Sequence, residues 1–132
     1  MIKKGFTLIE VLLGIFIITI LIPAFIDVDK VNIFMAKESE NSYKMFLIAS
    51  SICELYKNSS YYYEELSCQI YLNSSNELDQ SIEMSLDKLR DDTNKRYKAS
   101  LNFKLQDTGL YKLKVEVEDL LQGEKISLSC YK

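Results

Sequence analysis

The chain has no histidine and no tryptophan. General acid–base catalysis most often uses an imidazole, so the commonest proton-transfer residue is missing. Four glycines among 132 residues leave little scope for loops that cradle phosphates. No nucleophile elbow and no zinc spacing is present. The adjacent carboxylates Glu64-Glu65 and Asp91-Asp92 read as solvated turns, without the ligand spacing of a calcium loop. A basic excess is also lacking. Sixteen basic and 19 acidic side chains give a formal charge of −3, which argues against a nucleic-acid-binding surface and leaves room only for a small local basic patch. The expectation is a chain that is not an enzyme, holds no cofactor or metal and does not bind nucleic acid directly.

Cysteine and proline are scarce in informative ways. The three cysteines, Cys53, Cys68 and Cys130, are an odd number, which cannot be fully paired within one chain. Cys68 and Cys130 lie outside the long helix expected below, and they are the candidate pair for a disulfide in an exported compartment. The equal alternative is three buried thiols acting as small apolar residues. The single proline is Pro23, and neither glycine nor proline occurs between Ala24 and Lys57. That stretch can therefore run as one uninterrupted helix.

What the sequence has in abundance is one apolar run, Phe6 to Ile26, preceded by Lys3, Lys4 and Gly5. As a helix of 1.5 Å rise per residue it spans about 30 Å, the thickness of a bilayer core. Lysines before the run place this end in the cytoplasm by the positive-inside bias. No small-residue cleavage site of an ordinary secretory signal follows the run. Gly14 offers a place for close helix contact, and Pro23 removes a backbone hydrogen bond near the far end. One carboxylate, Glu10, stands near the start of the run. An acid at membrane depth costs about 2.5–3.5 kcal/mol on insertion scales, so Glu10 asks for a partner, most naturally a positive group on a neighbouring chain.

Gly5-Phe6-Thr7-Leu8-Ile9-Glu10, followed by unbroken apolar residues, resembles the class III signal of type IV prepilins and type II secretion pseudopilins. The resemblance implies cleavage between Gly5 and Phe6 by a prepilin peptidase and methyltransferase, with N-methylation of the Phe6 amine. It also implies that Glu10 pairs with the N-terminal amine of a neighbouring subunit during assembly. Loss of the leader removes Lys3 and Lys4, leaving 14 basic against 19 acidic side chains, or −5. The implied location is the cytoplasmic membrane of a bacterium, crossed once with the N-terminus inside, and an extracytoplasmic filament. The implied partners are other pilin or pseudopilin subunits.

Beyond the run, Val31, Phe34, Met35, Leu47, Ile48, Ile52, Leu55 and Tyr56 recur at helical spacings. They predict that the helix continues to about Lys57, its first half a packing spine and its second half a core element. Tyr61-Tyr62-Tyr63 follows a turn, and these rings cannot all face inward. Cys68–Leu72 reads as a strand or a single turn. Leu78, Ile82, Leu86 and Leu89 suggest a short amphipathic helix capped by Asn76 and ending near Asp91, with a strand as the competing reading. From Tyr97 onward the alternation is strict: Tyr97 to Leu105, Tyr111 to Val117 and Ile126 to Cys130 each place apolar side chains at every second position. Short turns between them favour an antiparallel meander. The last two of these strands are also loosely similar to the final hairpin of small minor pilins.

The expected organisation is thus a leader (1–5), a transmembrane or filament-core segment (6–26) and a soluble domain (27–132). The soluble domain comprises the continuing helix, a connecting region (58–96) and the meander (97–131). The fold class is α+β and pilin-like, a long N-terminal helix before an antiparallel sheet of three or more strands. The function expected from the resemblance is a minor type IV pilin that initiates or decorates a filament. The alternatives are a pseudopilin of a type II secretion or DNA-uptake apparatus and, from a different class, a single-pass anchored binding module that never polymerises.

Overall fold

The computed structural model describes residues 7–132. Helix α1 runs from Leu8 to Asn58, with Pro23 inside it. Then come strand β1 (Glu65–Leu72), a 3-10 turn (Ser75–Glu77), helix α2 (Ile82–Leu89) and strands β2 (Tyr97–Leu105), β3 (Tyr111–Asp119) and β4 (Lys125–Tyr131). The strands form one antiparallel sheet in the order β1-β2-β3-β4. This is the expected long helix followed by an antiparallel sheet, with β1 as its fourth strand. The chain divides into two units, one ending at Ser39 and one beginning at Glu40.

In the second unit the helix supplies a stripe and the sheet a face. Met45, Ala49 and Cys53 form one row of α1, and Ile48, Ile52 and Tyr56 form the next, each stepping by four. They meet the inward positions of the strands: Ile70 and Leu72 of β1, Tyr97, Ala99, Leu101 and Phe103 of β2, Leu113, Val115 and Val117 of β3, and Cys130 of β4. The register sets Ala99 opposite Val117, Leu101 opposite Val115 and Phe103 opposite Leu113, so the period-two pattern converts directly into one buried face. The β2–β3 and β3–β4 turns each place a glycine, Gly109 and Gly123, at positive φ, where a side chain would be strained.

The opposite face of the sheet is wet and charged. Lys125 reaches Glu118 across the β3–β4 pair at 3.4 Å. Lys104, by contrast, stands directly opposite Lys112, a like-charge pair.

The connecting region corrects two sequence expectations. Strand β1 begins at Glu65, earlier than Cys68, because Glu65–Leu72 pairs with Lys104–Tyr97 along its whole length. Helix α2 starts at Ile82 and not near Leu78, and its cap is Ser81 rather than Asn76. Asn76 lies inside the 3-10 turn, whereas Ser81 is extended and its hydroxyl accepts the Met84 N–H. Ser85 reinforces this start, accepting the Asp79 N–H at 2.8 Å and donating to the Ser81 carbonyl at 3.0 Å. Ile82 and Leu89 then complete the core.

Among Tyr61-Tyr62-Tyr63, only Tyr63 is half-buried, tilted against Phe103 at 4.8 Å between ring centroids. The C-terminal end of α1 is closed by Lys132, whose ammonium donates to the carbonyls of Tyr56 and Ser59. A cation at the negative end of a helix dipole is favourable.

Candidate functional site

The first turn of α1 is built by Thr7 and Glu10. The Glu10 carboxylate accepts the Thr7 backbone N–H at 2.8 Å and the Thr7 hydroxyl at 3.0 Å, both at Oε2. The Thr7 carbonyl in turn accepts the N–H of Glu10 at 3.0 Å and of Val11 at 3.3 Å. Residue N3 reaching back to the N-cap amide is one half of a capping box. Glu10 therefore has a local partner that the sequence reading did not assign. The signal was there, since Thr-x-x-Glu before an apolar run is the box's own spacing. Gln would fill the same local role, so capping explains an N3 side chain that accepts a hydrogen bond but not its charge.

Apart from Glu10, the helix is apolar on every side from Leu8 to Ile26. Leu8, Ile9, Leu13, Phe16 and Phe25 are each more than 60% exposed. So are Phe34 and Met35, which the sequence assigns to a packing spine. The helix is long and apolar enough to cross a membrane. A Cβ at Gly14 would meet nothing within 4 Å, so the small residue is free for close approach by another helix. Thr19, one of the few hydroxyls in the run, donates to the Ile15 carbonyl at 2.7 Å. Its polar hydrogen is thus satisfied within the helix, as an apolar surrounding demands. Gly5 and Phe6, the expected cleavage and methylation site, lie outside the described residues.

The second unit carries a polar cluster that sequence reasoning missed. Asn41 of α1 is buried and donates to Gln122 at 2.8 Å and to Glu124 at 2.9 Å. Its carbonyl oxygen accepts from the Tyr97 hydroxyl at 2.8 Å and from Arg96 at 3.0 Å. Arg96 also pairs with the fully buried Asp119 at 2.9 Å, and Asp119 accepts the Leu121 N–H at 2.9 Å. Burial alone would push the Asp119 carboxyl up. The bonds from Arg96 and Leu121 outweigh it, so the carboxyl lies below its ordinary value. The cluster fastens α1 to the β2 start and the β3–β4 turn, and every polar atom named is used in that fastening.

The cysteine expectation is corrected. Cys68 is on β1 and Cys130 on β4, at opposite edges of the sheet. Three strand spacings separate those edges by about 14 Å, well beyond the roughly 7 Å Cα limit for a disulfide. In this structure all three cysteines are thiols. The neighbour of Cys130 is Cys53 on α1, whose carbonyl oxygen lies 4.0 Å from the Cys130 sulfur.

Residues 1–22 match the family described as the prokaryotic N-terminal methylation motif. The chain carries a prepilin-type signal. The motif supports a type IV pilin- or pseudopilin-like precursor and implies processing by a prepilin peptidase and assembly with other pilin subunits. Motif and apolar helix together are consistent with membrane anchoring. Comparisons with curated proteins and with solved structures return no match.

Proposed function

We propose that this chain is a minor type IV pilin. In this reading it is inserted with its N-terminus in the cytoplasm, cut between Gly5 and Phe6, methylated on Phe6 and drawn into a filament through the first part of α1. The observation that carries the reading is the exposed helix from Val11 to Ile26, apolar all round, which is suited first to lipid and then to a bundle of like helices. Within such a bundle an unpaired carboxylate costs several kcal/mol and a paired one far less. The new Phe6 amine of a neighbouring subunit is the group that would neutralise Glu10, and it does so at one axial stagger only. Apolar packing supplies attraction without register, and the Glu10 pair supplies register. The small domain and short connecting region favour a minor over a major subunit.

The test is intact mass and N-terminal analysis of the chain expressed with and without a prepilin peptidase. The expected product is a chain beginning at methylated Phe6, formed only with the peptidase. An uncut N-terminus, or cleavage beyond Ile26, would overturn the reading.

A further inference from the structure

We propose that Cys53 and Cys130 form an intramolecular disulfide that staples α1 to the edge strand β4, while Cys68 stays a thiol. The two residues are 77 positions apart in sequence, yet the Cys130 sulfur sits 4.0 Å from the Cys53 carbonyl oxygen. Both side chains are almost fully buried between helix and sheet, so the packing already holds the two residues against each other. Cys68 is excluded from either pairing by its place on β1, the far edge of the sheet. This division also resolves the odd cysteine count.

The chemistry is thiol–disulfide exchange with an external disulfide, a small molecule or an oxidoreductase of the exported compartment. The Cys130 thiolate attacks one sulfur of the oxidant, forming a mixed disulfide and expelling the other sulfur as a thiolate. The Cys53 thiolate then attacks the Cys130 sulfur, closing the protein disulfide and expelling the second thiolate. Two protein thiols lose two electrons and two protons, and one external disulfide becomes two thiols.

The order follows from the site. Cys130 sits on strand β4, at the edge of the sheet. Strand β4 is hydrogen-bonded on one side only, and an edge opens more readily than an inner strand. Lys57, one turn beyond Cys53, favours the thiolate at both positions.

The inference takes from the proposed function only that the domain lies outside the cytoplasm, and its test separates the two. Full-length protein in detergent is incubated with excess oxidised glutathione at about pH 8, near the ordinary thiol pKa. It is then denatured, alkylated and analysed by intact mass and non-reducing peptide mapping. The expected result is a linked peptide joining Cys53 to Cys130, with a loss of about 2 Da for its two hydrogens, while Cys68 carries the alkyl label or a single glutathione. Cys68→Ser should form the same link. Full labelling of both Cys53 and Cys130 would overturn the proposal, as would a link containing Cys68. Protein that forms the bond in vitro but is isolated fully reduced from its native membrane would count against the extracytoplasmic placement instead.

Discussion

Both parts of α1 are rich in large apolar side chains, and their surroundings are opposite. From Leu8 to Met35 these side chains are exposed, whereas Met45, Ile48, Ile52 and Tyr56 are buried to within about 1%. The difference lies in placement rather than in apolar content. From Met45 to Tyr56 most apolar positions share one stripe, which a four-stranded sheet can cover, with Phe46 and Leu47 left outside it. From Leu8 to Ile26 they fill almost consecutive positions, so no single sheet face could cover them. A helix that is apolar all round must be surrounded, by lipid or by several other helices. The buried stripe makes the domain, and the exposed cylinder is the part to which the proposed function assigns assembly.

The comparison breaks most sharply at two phenylalanines. Phe103 is fully buried under α1, its ring 5.1 Å from that of Tyr56. Phe103→Ala should cost about 3–5 kcal/mol of domain stability. Phe16 is exposed, and Phe16→Ala should leave the same stability within about 0.5 kcal/mol. Chemical denaturation of full-length protein in detergent, followed by tyrosine fluorescence, measures both. Equal losses at the two positions would mean that the first part of the helix is part of the domain after all.

The polar fastening of the buried stripe comes next. Asp119→Ala removes the buried partner of Arg96, whose own side chain is 35% exposed. Solvent can rehydrate that guanidinium, so the expected loss is about 2–3 kcal/mol, less than for a fully buried pair. The Asp119 carboxyl is held below its ordinary value. Its contribution is therefore fully present above the unfolded value near pH 4 and is lost as pH falls through the lower folded value. Acid titration of stability should show this loss in the wild type and a flatter profile in Asp119→Asn.

Smaller effects test local chemistry in the second unit. Ser81→Ala should cost about 1 kcal/mol by uncapping α2, whereas Asn76→Ala should not reproduce it, because Asn76 does not cap. Tyr56 is fully buried, and among the described residues its hydroxyl has no hydrogen-bond partner. An unsatisfied buried hydroxyl is unfavourable, so Tyr56→Phe should be neutral or stabilise by up to about 1 kcal/mol. Thermal and denaturant midpoints of each variant check both.

Much of this was legible in the chain. Tyr97, Ala99, Leu101 and Phe103 alternate strictly, and period two leaves little choice of face. The stretch without glycine or proline from Phe25 to Lys57 runs as helix because nothing interrupts it. Other features depend on sheet order, which no local pattern encodes. Cys130 was set beside Cys68 because both lay outside the helix, yet a four-strand meander puts them at opposite edges and lays Cys53 against the last strand. The cluster of Asn41, Arg96 and Asp119 joins residues distant in sequence, each ordinary in its own neighbourhood. The start of α2 was misread because Leu78 belongs to the same apolar series as Ile82. The Thr7–Glu10 cap is encoded in the Thr-x-x-Glu spacing, which serves the cap and the charge of Glu10 at once.

That cap also supplies the most direct test of the role proposed for Glu10. Gln at N3 preserves the capping box while removing the charge, whereas Ala removes both. The measurement is the amount of this subunit in sheared filaments from cells carrying wild type, Glu10→Gln or Glu10→Ala, at equal membrane levels. If charge pairing sets the register, Glu10→Gln falls about tenfold or more, together with Glu10→Ala, since one buried unpaired partner costs several kcal/mol. If Glu10→Gln enters filaments at the wild-type level, Glu10 is a helix cap and the pairing is wrong.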